Sequence, residues 1–276
     1  MKHYTMPDPI GTAHMSTAEL RSHFLLDSLF RAGRLHLVST DLDRAILGSA
    51  VPLDAPLALL ADPEMRASFF CERRELGVFN IGGPGTVLGD GQSYSLNRLD
   101  CLYIGRGSRE VSFASAASDD PARFYLISYP AHAALPTKLV KHESSAGQPL
   151  GSQATANSRR LYKRIHPDGV ASCQLVMGYT LLDEGSCWNT MPPHTHRRRS
   201  EIYMYFDLDP SQRVLHVMGE PQETRHLLVG PQEAVLSPAW SVHAGAGTTR
   251  YGFCWAMGGE NQSFDDMDAV LIAELR

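Results

Sequence analysis

Short apolar runs, separated by glycine, proline, aspartate and asparagine, recur along this chain from residue 35 onward. They lie at residues 35–38, 57–60, 78–81, 101–104, 110–113 and 124–129, and again at 172–179, 201–206, 214–218, 224–229, 234–236 and 251–255. Runs of this length, bounded by turn residues at this spacing, are typical of an all-β sandwich or barrel. The sequence therefore predicts an all-β protein with few helices.

One helix is predicted near the N terminus. Ser16 and Glu19 have the spacing of a capping box, in which each side chain bonds the other residue's backbone N–H. Leu20 then begins an apolar pattern at helical spacing, and Gly33 is of the residue type that ends helices. We expect a helix of about four turns here, and a short helix at Asp268–Leu275.

The second half of the chain contains candidate metal ligands. His194 and His196 are two residues apart, so in a strand their imidazoles point to the same side. Glu201 begins the next apolar run, and the residues between fit a turn joining two neighbouring strands. Two imidazoles and a carboxylate arranged in this way can bind one divalent ion.

A fourth ligand is expected from His243. It ends the segment Pro238-Ala-Trp-Ser-Val-His243, which follows the apolar run at 233–236. A facing strand would deliver this imidazole to the ion bound by the other three side chains. Three histidines and one glutamate suit Zn²⁺, Mn²⁺, Fe²⁺, Co²⁺ or Ni²⁺. We therefore expect one divalent metal ion per chain.

Two related β domains are predicted from the 276 residues. The polar stretch at 144–153 has the composition of a linker or a long loop. Before it, the turn signal Asp90–Gly91 and the apolar run that follows give the first half the pattern of a second, degenerate barrel. We expect residues 1–150 to form the helix and a barrel without metal ligands, and residues 151–276 to form a metal-binding barrel.

The spacing of the four ligands resembles the two cupin motifs, which here read His194-x-His196-x(4)-Glu201 and Pro238-x-Trp240-x(2)-His243. Trp240 stands where the family usually has glycine, and Gly247 where the second motif often ends in asparagine. These departures concern the shape of the loop and leave the ligand set intact.

Further blocks are similar to the 5-keto-4-deoxyuronate isomerase family of cupins. In chain order they are Ile165-His-Pro-Asp-Gly169, Asn189–His196, Glu201–Phe206, Met218–His226, Ser237–Thr248, Trp255–Asn261 and Phe264–Asp268. The resemblance implies a bicupin fold, ketol-isomerase activity on a keto-uronate, and a zinc-type ion. It also implies a cytoplasmic location and a homohexamer.

A ketol isomerase removes a proton beside a carbonyl and forms an enediolate, whose negative charge a divalent ion can stabilise. Glu260 is a candidate base. Tyr203 and Tyr205 alternate with the ligand Glu201, so these phenols are candidates for proton donation in the same cavity. Filling of the barrel is the alternative role for both tyrosines, and a structural carboxylate is the alternative for Glu260.

The substrate carboxylate calls for a cationic side chain. Arg225 is the first candidate, because a guanidinium can bind a carboxylate in bidentate fashion. Lys163 and Arg250 are further candidates. A position at a strand edge is the alternative role for Arg225. The arginines at 197–199 are interpreted as a solvated turn, with an electrostatic rim or a carboxylate contact beside the ion as the alternative.

The composition argues against several other classes of protein. A net charge of −5 and a pI of about 6.2 leave no basic excess for nucleic-acid binding. The sequence has no run of 18 apolar residues that would predict a membrane span, and no apolar signal-peptide core, so we expect a cytoplasmic location. Five cysteines without a CxxC motif are expected to be reduced thiols.

Three other functions stay open on the sequence alone. They are a 5-deoxyglucuronate-type sugar-acid isomerase, an Fe(II) cupin dioxygenase and a non-catalytic cupin that binds a sugar or a metal, because one fold serves many functions. The blocks at 190–196 and 237–247 favour the uronate isomerase, and the intact ligand set argues against a purely binding protein. A homo-oligomer is expected, since association would cover the edges of short strands.

Overall fold

The apolar runs form strands in the structure, a computed structural model that describes residues 1–260, 262–263 and 266–276. The predicted all-β class is confirmed. The blocks at 255–261 and 264–268 lie partly outside the described residues. Within the described part, no helix is long and apolar enough to cross a membrane.

The described strands are numbered in chain order. They are β1 Lys2–Tyr4, β2 Leu25–Leu26, β3 Arg34–Thr40, β4 Ile46–Val51, β5 Leu57–Ala58, β6 Arg74–Asn80, β7 Gly85–Gly89, β8 Gln92–Leu96, β9 Cys101–Ile104, β10 Val111–Ser115, β11 Phe124–Pro130, β12 Lys138–Val140, β13 Gln148–Leu150, β14 Arg159–Ile165, β15 Val176–Leu182, β16 Trp188–Asn189, β17 His194–Thr195, β18 Arg199–Phe206, β19 Val214–Glu220, β20 Glu223–Val229, β21 Ala234–Ser237, β22 Ala244–Gly247, β23 Gly252–Gly259 and β24 Asp268–Ala269.

The α-helices are short. They are α1 Pro9–Ala13 and α2 Thr17–Phe24, and 3-10 turns lie at Leu42–Arg44, Pro63–Met65, Phe70–Glu72, His142–Ser144, Gln153–Thr155 and Ile272–Glu274. The predicted capping box is confirmed at the start of α2. The helix ends at Phe24 and not near Gly33, because Leu25 turns extended and begins β2. The predicted C-terminal helix is likewise replaced by β24 and a 3-10 turn.

The first unit contains two sheets that share one apolar core. A seven-stranded sheet has the order β1-β3-β4-β11-β6-β9-β12, and a four-stranded sheet the order β5-β10-β7-β8. The turn predicted at Asp90–Gly91 joins β7 to β8, and both residues have the positive φ that such a tight hairpin requires. Side chains such as Leu76, Val78 and Phe113 from both sheets fill the interior.

The second unit repeats the inner strands of both sheets, but its outermost strand β13 pairs antiparallel with β14, whereas β1 pairs parallel with β3. Its seven-stranded sheet has the order β13-β14-β15-β23-β18-β21-β2, and its four-stranded sheet the order β16-β22-β19-β20. In this match β6 corresponds to β18 and β9 to β21. Leu76 pairs with Ile104, the last residue of β9, as Glu201 pairs with Ser237, the last residue of β21. An apolar leucine therefore stands in the first barrel where the second has a candidate metal ligand.

The two units do not divide at a single boundary near residue 150. The first comprises Met1–Tyr4, Leu29–Ala146 and Arg164–Val176, and the second Thr5–Ser28, Gly147–Lys163 and Met177–Arg276. The helical segment thus joins the second unit, because β2 extends the sheet beside β21 and Phe24 packs edge-on against Trp240. Part of the 144–153 stretch is also ordered, since β13 pairs with β14.

Residues 164–176 belong to the first unit for an electrostatic reason. The carboxylate of Glu75 in β6 is fully buried and accepts hydrogen bonds from the backbone N–H groups of Cys173, Gln174 and Leu175, each at 2.7 Å. It also accepts one from the Tyr103 hydroxyl at 2.8 Å. A buried charge is stable only with such partners, so this segment is fixed to the first barrel.

Candidate metal centre and active site

The four predicted ligands lie in or beside three strands of different sheets, β17, β18 and β22. His194 lies in the two-residue strand β17, and a turn that contains His196 leads into β18. Glu201 is the third residue of β18, which pairs with β21 on one side and β23 on the other, so its carboxylate is deeply buried. His243 immediately precedes β22 in the four-stranded sheet.

The four side chains converge on one point. Their ligand atoms all lie within 4.8 Å of one another. Glu201 Oε2 lies 3.0 Å from His196 Nε2 and 3.1 Å from His243 Nε2, and the Nε2 atoms of His243 and His194 are 3.1 Å apart. Within the described part of the chain, this is the one group of three or more His, Cys, Asp or Glu residues with this closeness.

Surrounding groups orient the imidazoles for metal binding. His196 Nδ1 lies 2.9 Å from the Arg199 carbonyl oxygen, which can only accept, so Nδ1 carries a proton and the ring turns Nε2 toward the centre of the cluster. His243 Nδ1 is 3.4 Å from Ser237 Oγ, and this contact turns its Nε2 in the same direction. This is the tautomer that a metal ligand needs.

The charges of the cluster also suit a cation. Burial and the neighbouring His243 lower the pKa of His194 to about 3, so this imidazole is neutral at physiological pH. Burial alone would raise the pKa of Glu201, but attraction to His243 and hydrogen bonds from His196 and His243 hold it well below its usual value. Burial opposes protonation of His196, but its hydrogen bond to Glu201 and the charge of that carboxylate raise its pKa overall. An ionised carboxylate among imidazoles can hold a divalent transition metal, whose binding displaces the imidazole protons.

A cavity of about 270 Å³ opens beside the cluster. Side chains on its wall include His194, Glu201, Tyr203, Arg159, Lys163, Arg199, Thr180, Leu150, Leu161, Phe253, Trp255 and Met267. Trp255 donates from Nε1 to Thr180 Oγ1 at 3.2 Å. Its ring lies against Gly178, where a Cβ atom would come within 2.3 Å of Trp255 Cζ2. The glycine therefore leaves room for the aromatic wall of the cavity.

The two candidate phenols occupy different places. Tyr203 lines the cavity, and its hydroxyl lies 3.4 Å from Thr190 Oγ1. Burial, followed by the nearby Glu201 carboxylate, raises its pKa well above the usual value. Tyr205 is not among the described residues that line the cavity, and its hydroxyl contacts His216 Nδ1 at 2.7 Å in the interior. Only Tyr203 is placed to meet a ligand.

Three further candidates, Glu260, Arg225 and Arg250, lie away from the cavity. Glu260 is exposed and forms an ion pair with Arg198 at the surface, and the hydrogen bond from that arginine lowers its pKa, so it is placed poorly as a base for the cavity. Arg225 donates to the backbone carbonyls of Ala13 and Met15 at 2.8 and 2.5 Å. Arg250 is exposed in a turn. None of the three is among the described residues that line the cavity.

Two cationic residues do line the cavity on β14. Lys163 was a sequence candidate, whereas Arg159 was missed. Arg159 is half-buried, its Nη1 donates to the Asn157 carbonyl at 2.8 Å, and burial lowers its pKa. The sequence did contain a signal for Arg159. It lies two and four residues before Leu161 and Lys163, so in a strand all three side chains point to the same face.

A C-terminal strap, residues 266–270, holds the ligand-bearing strand. In it, β24 pairs with β17, so that Ala269 lies opposite His194, and the Val270 N–H donates to the Pro193 carbonyl at 3.0 Å. Asp266 forms an ion pair of 2.9 Å with Arg199. The predicted solvated turn at 197–199 is thus wrong for Arg199, whose side chain is fully buried.

Comparison with known proteins places this site in a family. The model of the KduI/IolB family matches residues 48–271. The chain belongs to the KduI/IolB family. Relatives named 4-deoxy-L-threo-5-hexosulose-uronate ketol-isomerase match nearly its whole length. The one from Opitutus terrae is 52% identical and covers 100% of both chains, and the one from Halalkalibacterium halodurans is 49% identical over 97% of both.

Membership of the KduI/IolB family confirms the resemblance seen in the sequence motifs. Because these relatives are ketol-isomerases by name at such identity, the chain is an enzyme of the ketol-isomerase class, an intramolecular oxidoreductase.

Solved structures support the fold of this KduI/IolB member. An IolB-like protein from Salmonella typhimurium matches with a TM-score of 0.73 at 14% identity, over 90% of this chain and 96% of that one. Oxalate decarboxylase from Bacillus subtilis matches with a TM-score of 0.59 at 10% identity, over 93% of this chain and 78% of that one. At such low identity the likeness concerns the fold alone, and the predicted bicupin architecture is confirmed.

Proposed function

We propose that this enzyme is a metal-dependent uronate isomerase that converts 5-dehydro-4-deoxy-D-glucuronate to 3-deoxy-D-glycero-2,5-hexodiulosonate. In this reaction the terminal aldehyde becomes a hydroxymethyl end and the neighbouring carbon becomes a ketone, with a cis-enediol between them. The main support is that four side chains converge beside a cavity, namely His194, His196, Glu201 and His243. The chain is also 52% identical to a relative named 4-deoxy-L-threo-5-hexosulose-uronate ketol-isomerase.

The three imidazoles and one carboxylate indicate a divalent transition-metal ion as the cofactor. A divalent ion held by these four residues would supply Lewis acidity, which polarises the substrate carbonyl and stabilises the negative charge of the enediolate. We propose Zn²⁺, with Mn²⁺, Fe²⁺, Co²⁺ and Ni²⁺ as the alternatives that the same ligands accept.

Arg159 and Lys163 bind the substrate carboxylate in this proposal. Both project from one face of β14 into the cavity that His194 and Glu201 also line. The bond from Arg159 to the Asn157 carbonyl fixes one terminal nitrogen and leaves the rest of the guanidinium for a carboxylate. The aromatic wall around Trp255 excludes water from the sugar carbons.

Tyr203 acts as a hydrogen-bond donor to a substrate oxygen. Its raised pKa keeps the phenol protonated at neutral pH, so it can give a proton to an enediolate oxygen but is a poor base in the ground state. Tyr205, bonded to His216 behind it, supports the barrel interior.

The cellular location and the oligomeric state are also proposed. We propose a cytoplasmic enzyme of pectin-derived uronate breakdown that forms a homo-oligomer, a hexamer by the family resemblance. The five cysteines form no disulfide bond with one another in the described chain, as a reducing compartment would keep them. Light scattering at micromolar concentration should give a multiple of the 30.4 kDa chain mass, and a monomer would contradict the assembly.

The isomerase reaction is tested with purified enzyme. Elemental analysis of the same preparation gives its metal content. Nuclear magnetic resonance should show the 5-keto-4-deoxyuronate aldehyde signal disappearing as the diketone forms, with no oxygen consumed. Chelation should stop turnover and added Zn²⁺ should restore it. Faster turnover of 5-deoxyglucuronate, uptake of oxygen, or no reaction by fully metal-loaded enzyme would each reject the assignment.

A further inference from the structure

A second cleft, also of about 270 Å³, opens in the first unit and has no part in the isomerase proposal. Three arginines line it, Arg44, Arg73 and Arg74, beside the apolar side chains of Met65 and Phe70. None of the described residues that line the cleft is acidic. A concave surface with several positive charges and an apolar wall has the composition of a binding site for a small anion.

Backbone carbonyls hold two of the guanidinium groups in place. Arg73 Nη2 donates to two carbonyls of the preceding loop at 2.8 and 2.7 Å. Arg74 Nη2 donates to the carbonyls of Arg44 and Ser128 at 2.7 and 2.8 Å. Among the described residues, Nη1 of each arginine has no hydrogen-bond acceptor. These groups are therefore fixed along one edge and keep donors for a ligand.

The second barrel shows how such an arginine is neutralised within the protein. Arg199 lies two residues before Glu201 in β18, and Arg74 stands at the corresponding position of β6. Arg199 has Asp266 as its ion-pair partner at 2.9 Å. Arg74 has no ion-pair partner in the described part of the first unit, and Arg44 adds a second positive charge to the same cleft.

The carboxylate next to Arg74 in the sequence is already engaged. Glu75 accepts the Tyr103 hydroxyl and the backbone N–H groups of Cys173 and Gln174 within 2.8 Å. Successive residues of a strand point to opposite faces, so this carboxylate lies on the other face of β6. The positive charge of the cleft is therefore left for a ligand to neutralise.

We propose that this arginine cleft binds a small oxyanion, a carboxylate or a phosphate group. Two of its oxygen atoms accept hydrogen bonds from Arg74 and Arg44, with Arg73 at the rim. Met65 and Phe70 contact the carbon skeleton that carries the anion. The site lies in the barrel without metal ligands, so the inference stands independently of the isomerase proposal.

Calorimetric titration of the metal-loaded enzyme tests the proposal, with sodium phosphate in one arm and sodium acetate in the other at constant ionic strength. Arg44→Gln is the test variant, because the Arg44 guanidinium makes no hydrogen bond within the described protein and its loss spares the fold. Arg34→Gln is the matched control, since it removes one charge from an exposed residue of β3 outside the cleft.

A saturable binding event is expected that weakens about tenfold in Arg44→Gln, as the loss of a charge-assisted contact implies. It should be unchanged in Arg34→Gln, and isomerase activity should be the same in both. Binding of phosphate alone, or of acetate alone, assigns the ligand class. Equal weakening in the two variants, or no saturable binding of either anion, would overturn the proposal.

Discussion

At the scale of residues, the cavity of the second barrel has charges of opposite sign on its wall. Glu201 and the neutral imidazole of His194 are ready to hold a cation, whereas Arg159 and Lys163 present positive charge to the same space. A keto acid meets both requirements, because its carbonyl end suits a metal and its carboxylate suits a guanidinium. In the proposed reaction, these opposite charges would therefore set the orientation of the substrate.

Arg159→Gln should raise KM for the uronate about tenfold while kcat changes little. The bond from the guanidinium to the carboxylate is the same in ground and transition states, and its loss removes binding alone. Steady-state kinetics checks this, with Arg250→Gln as a control that removes an equal charge away from the cavity. An unchanged KM in Arg159→Gln would place the carboxylate elsewhere.

His243→Ala should weaken metal binding more than about 100-fold, since even partners behind the ligands contribute up to that much. The variant removes one of four donors and leaves the Glu201 carboxylate with one imidazole fewer. Elemental analysis after dialysis, and activity, should fall together. His226→Ala, an exposed histidine on β20, serves as the control. Full occupancy in His243→Ala would mean that the ligand set is wrong.

The cluster of candidate metal ligands could be predicted from sequence, whereas the cationic residues that line the cavity largely could not. His194, His196 and Glu201 are close in the chain, so strand alternation brings them together without knowledge of the topology. Both Arg225 and Arg159 lie in strands with apolar neighbours, and the sequence does not show which of the two strands lines the cavity. Arg225 lies at the edge strand β20 and bonds the backbone near α1, and only the sheet order reveals this.

At the scale of elements, the strap and β17 form one small ribbon. His194 belongs to a strand of two residues, which by itself cannot hold an imidazole in a fixed position. Pairing with β24 supplies the missing hydrogen bonds, and the Arg199–Asp266 ion pair fixes the strap to β18. The position of a candidate metal ligand thus depends on residues far along the chain.

Asp266→Asn should lower both stability and metal affinity. The substitution leaves the buried Arg199 guanidinium without its counter-charge, at a cost of about 3 kcal/mol in the free energy of unfolding. Loosening of His194 should weaken metal binding about tenfold. Thermal denaturation and metal competition measure the two effects, and Asp268→Asn, an exposed strap residue, is the control. Identical behaviour of the two variants would show that the ion pair has no role.

Several elements escaped prediction for physical reasons. All six residues of β4, Ile46–Val51, are buried, so the strand shows neither alternation nor a long apolar run around Gly48 and Ser49. The helix α2 stops early because Leu25 and Leu26 complete a sheet edge, a tertiary contact that overrides the local helical pattern. The strap strand β24 exists only through its pairing with β17.

At the scale of the whole molecule, two barrels share a strand order but differ in their interiors. Leu76 and Val78 pack in the first, where Glu201 and Tyr203 occupy the matching positions of the second. The first interior is filled by apolar side chains, whereas the second contains a buried carboxylate and imidazoles, whose charge a bound cation would balance.

Metal removal should therefore loosen one barrel and spare the other. Hydrogen exchange of the chelated enzyme should show reduced protection in β18 and β22, because ligand binding to the native state stabilises the elements that supply the donors. Protection of β6 and β10 should stay as in the metal-loaded enzyme. A uniform loss of protection across both barrels would contradict this separation.

The matched strand orders suggest an ancestry. A gene encoding a single barrel, once doubled, gives two copies with the same topology and leaves only one under selection for chemistry. The other copy then drifts under packing constraints alone. Among descendants of such a duplication, position 76 should exchange freely between apolar residues of similar volume, whereas position 201 should tolerate no exchange. On this view, the leucine at position 76 marks the copy that packing alone has maintained.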